Sequence, residues 1–352
     1  MTNWNDEPAE VRSLEALPPE AVAHWVRTLL PELHGIPEIL QYPGGASNLT
    51  YLLRYPGRDV ILRRPPLGRK AKGAHDMKRE AMVLQALKPV FDYVPEVYGL
   101  GEVEGVGECL LMQRLRGIIL RKDLPEGMDL PAGSAQQLCH QMLDRLIELH
   151  QLNPAAIGLS ELDKGHGYVQ RQIQGWTERY QSAWTDDVPN FTAIMNWLAQ
   201  NQPEDRPHRL IHNDYRFDNL VLDARHPEQI IGILDWEMAT VGDPLMDLGN
   251  SLAYWVQADD QGLFRSMRRQ PTHIPGMLTR QQVINYYAEK TGLEHTDFLF
   301  YEVYGLFRLA VIVQQIYERF LKGKAANPLY GQFGAMVQAL ELRCQKRLNQ
   351  GS

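Results

Sequence analysis

The chain has 352 residues, a formal net charge of −7, 44% hydrophobic residues and 22% charged residues. That length admits two lobes with a sizeable core, and the balance is ordinary for a globular protein. The acidic charge argues against a nucleic-acid binder. Three scattered cysteines, Cys109, Cys139 and Cys344, show no C-x-x-C spacing, so neither a disulfide framework nor a zinc site is suggested. A reducing cytoplasm is the expected compartment. The polar start (Asn5, Asp6, Glu7) lacks a signal-peptide pattern.

Residues 1–18 read as a polar arm. Pro19 to Leu30 reads as a helix, with Pro at its start and Pro31 beyond its end. Three short strands follow at Ile39 to Tyr42, Leu49 to Leu53 and Val60 to Leu62. Gly44-Gly45-Ala46-Ser47-Asn48 joins the first two, and Pro56-Gly57-Arg58-Asp59 the next. Arg63 to Gly73 reads as a loop rich in Gly, Pro and Arg. Its basic cluster, Arg63, Arg64, Arg69, Lys70 and Lys72, is either a solvated face or a ligand for an anion. A helix is expected from Asp76 to Leu87, then strands at Val97 to Leu100 and Cys109 to Met112. Five strands with one helix after the third make a small antiparallel α+β lobe.

After Gly117 the pattern turns helical. Ser134 to Gln151 carries Leu138, Met142, Leu146 and Leu149 along one face. Helices are also expected at Gln281 to Lys290, from Thr296 as N-cap to Lys322 with Gly323 as C′, and from Gly331 to Leu348. The apolar run from Phe298 to Leu321 is interrupted by Glu302, Arg308, Gln314, Gln315 and Glu318, so no membrane partner is expected. The only strand signals in this half flank one motif, His212-Asn213-Asp214-Tyr215-Arg216-Phe217-Asp218-Asn219, which is followed by Ile230-Ile231-Gly232-Ile233-Leu234-Asp235.

That motif reads H-x-D-x-x-x-x-N, with a second Asp delivered by the next strand. Phosphoryl transfer needs such a set: a carboxylate to accept a hydroxyl proton, and hard oxygen ligands to hold magnesium against phosphates. Asp214 is the candidate base, and Asn219 and Asp235 are the candidate metal ligands. His212 reads as a scaffold residue. Arg216 is either a cation for the transferring phosphate or a surface residue. Gly45, Ser47 and Asn48 lie where a glycine-rich turn lets backbone N–H groups approach phosphates. Arg63, at the end of the third strand, is the candidate partner for the α- and β-phosphates, held by Glu80 from the next helix. Arg64 competes for the same role.

These residues, with Ile233-Leu234-Asp235-Trp236-Glu237 and Gly242-Asp243-Pro244-Leu245-Met246-Asp247-Leu248, resemble the aminoglycoside phosphotransferase-like family of the protein-kinase-like superfamily, from about Leu40 to Lys346. The resemblance implies a bilobal kinase-like α+β fold, with a small antiparallel-sheet N-terminal lobe over residues 1–113 and a larger, mostly helical lobe over 114–352. It also implies ATP and Mg2+ as cofactors, a hinge at Met112-Gln113-Arg114-Leu115 beside the nucleotide, and Asp247 as a tether of the catalytic loop. A kinase of this type usually has Lys where this chain has Arg63. Gly167-Tyr168-Val169-Gln170-Arg171-Gln172-Ile173-Gln174-Gly175-Trp176 and Asp235-Trp236-Glu237 further resemble kinase-like domains associated with acyl-CoA dehydrogenase-like proteins. The implied acceptor is a hydroxylated acyl compound.

The expected enzyme is therefore a small-molecule kinase. Alternatives are an aminoglycoside or amino-alcohol kinase, a nucleotide-binding pseudokinase, and a metal-dependent hydrolase. Aminoglycosides are polycations and need clustered acids. The expected long C-terminal helix instead offers Tyr301, Tyr304, Phe307, Arg308 and Tyr317, joined by Trp176 and Tyr180. These aromatics are either an acceptor wall or helix-packing core.

Overall fold

The computed structural model describes residues 4–43, 48–66, 76–293, 296–325 and 327–350. Its contacts divide the chain into two compact units. Residues 1–119, 125–128 and 219–239 form the first, and residues 120–124, 129–218 and 240–352 the second.

The first unit is built on a five-stranded antiparallel sheet. Helix α1 (Pro19–Leu29) precedes strands β1 (Glu38–Gln41), β2 (Leu49–Tyr55) and β3 (Arg58–Arg64). Helix α2 (Met77–Leu87) follows, then β4 (Val97–Val103) and β5 (Gly107–Gln113), in the order β1-β2-β3-β5-β4. Side chains alternate between faces along each strand. Tyr51, Leu53, Val60, Leu62 and Leu111 are buried in one cluster with Val22 and Val26 of α1. A Cβ on Gly99 or Gly101 of β4 would meet Leu29 or Trp25 of α1, so the glycines let the helix lie close. The opposite face carries Leu52, Ile61 and Leu110, also buried. Alternation separates the two arginines at the end of β3. Arg63 shares the face of Ile61, whereas Arg64 shares the face of Leu62 and donates to the Tyr51 hydroxyl at 3.2 and 3.3 Å.

A hairpin of Leu220–Leu222 and Ile230–Ile233 also belongs to this unit. The expected division at residue 113 leaves that hairpin in the second lobe. Its hydrogen bonds explain the difference: Ile118 and Leu222 exchange N–H···O bonds at 2.8 and 2.9 Å, and Ile233 N–H donates to Tyr93 at 2.6 Å.

The second unit is helical: α3 (Ala132–Gln151), α4 (Tyr168–Ala183), α5 (Thr192–Gln200), α6 (Pro244–Ala253), α7 (Gly262–Ser266), α8 (Arg280–Thr291), α9 (Leu299–Leu321) and α10 (Phe333–Gln350). A short ribbon pairs Arg209–Ile211 with Thr240–Gly242. Helix α9 is long and apolar enough to cross a membrane, but 72% of its apolar window is buried inside the protein. It packs against α4, α5, α6 and α10. Its start differs from expectation. Thr296 does not cap it, because Thr296 N–H donates to Leu293 and its hydroxyl accepts from Arg206. Asp297 instead accepts from Leu299 N–H at 2.9 Å.

Helices α6 and α9 meet backbone to backbone. A Cβ on Gly249 would lie 2.3 Å from the Tyr301 carbonyl oxygen, and one on Gly305 would lie 2.0 Å from the Gly249 carbonyl oxygen. Neither oxygen belongs to a side chain that can turn away. Gly305→Ala should therefore destabilise the protein by about 3 kcal/mol, read as a lowered urea midpoint at unchanged slope. Gly133→Ala, in the first turn of α3 with nothing within 4 Å of the new Cβ, should be neutral or mildly stabilising.

Candidate active site

In the first unit the candidate site centres on Arg63. Its guanidinium holds Glu80 of α2 at 2.5 Å and Asp235 at 3.0 Å, with Glu237 at 3.8 Å. Arg63 and Glu80 are buried, at 7% and 1% exposure. The Asp76 side chain caps α2 by accepting from Lys78 and Arg79 N–H, which places Glu80 in the first turn. Burial pushes the Glu80 carboxyl up; Arg63 opposes this, and Asp235 and Glu237 add to it. The three carboxylates in turn raise Arg63 despite its burial, so it stays protonated.

Asp235 has φ 67°, a left-handed conformation rare outside glycine. The turn it opens is anchored by Trp236, fully buried against Phe91, whose indole N–H donates to the Ile233 carbonyl at 2.9 Å. Leu234 N–H donates to the Asn219 carbonyl at 2.8 Å, linking the backbones beside Asp235 and Asn219. The Asp235 side chain is 32% exposed. One carboxylate and one carboxamide are hard oxygen donors suited to magnesium. Among the described residues no cluster of three or more His, Cys, Asp or Glu offers a full cage. A two-ligand set fits an ion that completes its shell with phosphates and water.

In the second unit the Asp247 carboxylate organises the other half. It is fully buried, and accepts from His212 N–H and Asn213 N–H at 2.7 Å each, and from His150 Nε2 at 3.2 Å. Burial pushes its carboxyl up, but His150, His212 and the backbone donors hold it below the usual range. Asn213 takes φ 66°. Its conformation is held by Asp247, by Arg308 donating to its carbonyl at 3.0 Å, and by Asn250 on its side chain at 3.3 Å. His212 is buried, and its Nδ1 accepts from Asp214 N–H at 3.2 Å, which is scaffold work.

The carboxylate of Asp214, the candidate base, is held by cations. Arg216 donates to it at 2.9 Å, reaches Asp218 at 3.4 Å, and lies over the Tyr254 ring at 4.4 Å. Arg216 is therefore a held residue, with 12% of its side chain exposed. Burial pushes Asp214 up; Arg216, Arg308 and His212 outweigh it, so the carboxyl sits below its usual range.

Of the expected site residues, Arg63, Glu80 and Asp235 are in direct contact. The Asn48 side chain joins them by donating to Glu237 at 2.6 Å. Met112 and Gln113 lie in β5, opposite Ile61 and Val60. Gly45 and Ser47 lie outside the described residues. Asp214 and Arg216 pair with each other in the second unit, five and three residues before Asn219. Sequence reasoning passed over Glu237, Asp218, His150 and Tyr287 as site residues. Glu237, two residues after Asp235, carried the clearest signal. The aromatic wall resolves as core: Tyr180, Phe191 and Phe307 pack together at 4.9–6.0 Å, and Tyr317 donates to Asp187. Arg308 is buried with them, its guanidinium 5.1 Å from the Trp176 ring centre.

A model of the phosphotransferase enzyme family matches residues 38–279. Mouse acyl-CoA dehydrogenase family member 10 is 31% identical over 337 residues, covering 94% of this chain and 31% of its own length. Human acyl-CoA dehydrogenase family member 11 is 31% identical over 310 residues, covering 86% and 39%. The chain thus spans well under half the length of these curated relatives. A Ralstonia eutropha structure, provisionally assigned as an aminoglycoside phosphotransferase, matches with TM-score 0.79 at 28% identity over 95% of this chain and 99% of its own. The GDP and kanamycin complex of an aminoglycoside 2″-phosphotransferase matches with TM-score 0.63 at 15% identity, over 92% and 98%. That likeness carries the protein-kinase-like fold.

Removing one member of the buried cluster should be worse than removing two. Arg63→Met leaves Glu80, Asp235 and Glu237 without their shared cation and should cost about 3–5 kcal/mol, whereas Arg63→Met with Glu80→Met should cost much less than the two single losses added. Chemical unfolding of the four proteins of this cycle checks it; strict additivity would refute the coupling.

Proposed function

The chain belongs to the phosphotransferase enzyme family, a kinase acting on hydroxyl groups, and from that premise we propose that it moves the γ-phosphate of Mg-ATP to a small hydroxylated acceptor, a hydroxyacyl compound. The observation that carries this reading is the Asp214 carboxylate, kept ionised beside Arg216 on a loop pinned by Asp247. Asn219 stands five residues further along the same stretch.

In this reading Asp214 accepts the acceptor's hydroxyl proton and orients its oxygen in line with the phosphorus. Little covalent work is required of the protein in such a transfer, so positioning and charge stabilisation supply most of the rate. Arg216 holds Asp214 in place and offers a guanidinium where charge develops. Asn219 and Asp235 would hold magnesium, which would supply positive charge to offset that of the phosphates. Arg63, kept by Glu80, would serve the α- and β-phosphates; its planar fork replaces the point charge of the usual Lys.

Two observations support an acyl rather than a polycationic acceptor. The curated relatives carry the name acyl-CoA dehydrogenase family member. Asp214 itself pairs with Arg216 and feels the charge of Arg308, which suits an anionic or neutral molecule better than an aminoglycoside. A cytoplasmic setting is proposed with it, supported by three buried free thiols.

The test is ATP consumption with hydroxylated acids, hydroxyacyl thioesters, aminoglycosides and choline-like alcohols, for wild type and Asp214→Asn. Acceptor-dependent turnover with hydroxyacyl compounds, lost at least 100-fold in Asp214→Asn, is expected. Turnover unchanged by the substitution would overturn the base assignment. Turnover only with aminoglycosides would overturn the acceptor class.

The pH dependence has a definite sign. A base held below the usual Asp value of about 3.9 is ionised throughout the neutral range, so its acid limb in kcat/KM lies below about pH 4. Arg216→Gln removes a cation that holds it down, so the carboxyl rises and the acid limb moves to higher pH. A pH profile of kcat/KM for both proteins checks this.

A further inference from the structure

Behind the catalytic loop lies a second layer that the proposed chemistry leaves unused. His150, near the end of α3, presents Nε2 to the Asp247 carboxylate at 3.2 Å and Nδ1 to the Tyr287 hydroxyl of α8 at 2.8 Å. The three side chains are 4%, 0% and 1% exposed. Tyr287 also sets its ring edge-on to the imidazole, with centroids 5.9 Å apart.

The donors and acceptors settle who gives what. Asp247 accepts N–H bonds from His212 and Asn213 and is held ionised, so His150 must donate to it through Nε2. Burial holds the Tyr287 phenol protonated. With Nε2 turned to Asp247, the Tyr287 hydroxyl is placed to donate to Nδ1, a bond that favours the Nε2–H tautomer. The alternative tautomer would turn a lone pair toward a buried carboxylate. Asp247 would then lose its only side-chain donor among the described contacts and be free to rotate. That rotation would release the two amides that hold Asn213 in its left-handed conformation, one residue before Asp214.

We infer that Tyr287 and His150 are positioning residues for the catalytic loop, acting through Asp247 to fix the carboxylate that clamps the His212 and Asn213 amides. They touch no substrate. The pair presets the tautomer and rotamer of the clamp, so Asp214 enters the reaction already placed. This rests on the reading of 212–219 as the catalytic loop, and the test separates the two.

The test compares the full-length wild type with Tyr287→Phe, His150→Leu and His150→Gln. Gln retains a donor for Asp247 and an acceptor for Tyr287; Phe retains the ring of Tyr287. Hydrogen exchange at the His212 and Asn213 amides is followed by NMR, and hydrolysis of Mg-ATP without acceptor is followed in parallel. Tyr287→Phe and His150→Leu should speed exchange at those two amides about tenfold, with the amides of α6 unchanged. They should lower kcat about tenfold at a KM for ATP within about twofold of wild type, and His150→Gln should restore both to within about threefold. Exchange and kcat unchanged in folded Tyr287→Phe, or exchange raised evenly through α3, α6 and α8, would overturn the proposal. If the wild type turns over no ATP either alone or with any of the acceptors tested above, the kinase reading falls and the exchange measurement still decides this one.

Discussion

Two backbone N–H groups, those of His212 and Asn213, end on one buried carboxylate, and the geometry of the second unit is organised around that clamp. A carboxylate withdrawn from water is costly unless it is fully hydrogen-bonded. Asp247 meets that condition with three donors drawn from two elements, α3 and the loop before Asp214. The loop needs such a partner, because Asn213 at φ 66° will not hold its conformation unaided. Strain in the loop and desolvation of the acid are thus relieved by the same contacts. Each is tolerable only in the presence of the other.

The first unit reaches a comparable result with side chains. Arg63 lies among three carboxylates, two of them from the turn that Trp236 anchors. A guanidinium has five donors in a flat fork and can hold Glu80 and Asp235 together, which an ammonium manages less well. The arginine that departs from the usual kinase lysine therefore has a structural account in this chain. It ties the central strand of the sheet to the turn that presents Asp235. In the same cluster Asn48 holds Glu237, so the end of the glycine-rich segment is fastened to the same turn.

Much of the fold was legible in the chain because its signals are local. Alternation between Val60 and Leu62, the Pro-Gly turn before Arg58, and the capping Asp76 each act within a few residues. The motif residues stand out for another reason: phosphoryl transfer restricts the residue types that would serve at those offsets. What stayed hidden depends on distant partners. Thr296 has a good capping side chain, but Arg206 takes its hydroxyl. The hairpin at 220–233 follows the catalytic motif directly, yet its partners Tyr93 and Ile118 lie more than a hundred residues earlier. His150 resembles any histidine at a helix end; only Asp247 and Tyr287, 97 and 137 residues away, give it a role. The aromatics of α9 follow helical periodicity equally well as core or as binding wall, and the contacts with Tyr180 and Phe191 place them in the core.

The contact of Gly249 with Gly305 has a further consequence. Side chains usually set the spacing of two helices, and side chains change rotamer, expand on heating and yield to a neighbour's substitution. Here peptide planes touch directly, two residues after Asp247. The depth of α6 is set by contact between two backbones, whose shape, unlike a side chain's, does not change with rotamer. The seat of Asp247 is thereby less dependent on which aromatics surround α9. Position at the 212–219 loop and packing in the surrounding core are set by different kinds of matter, backbone in one case and side chain in the other.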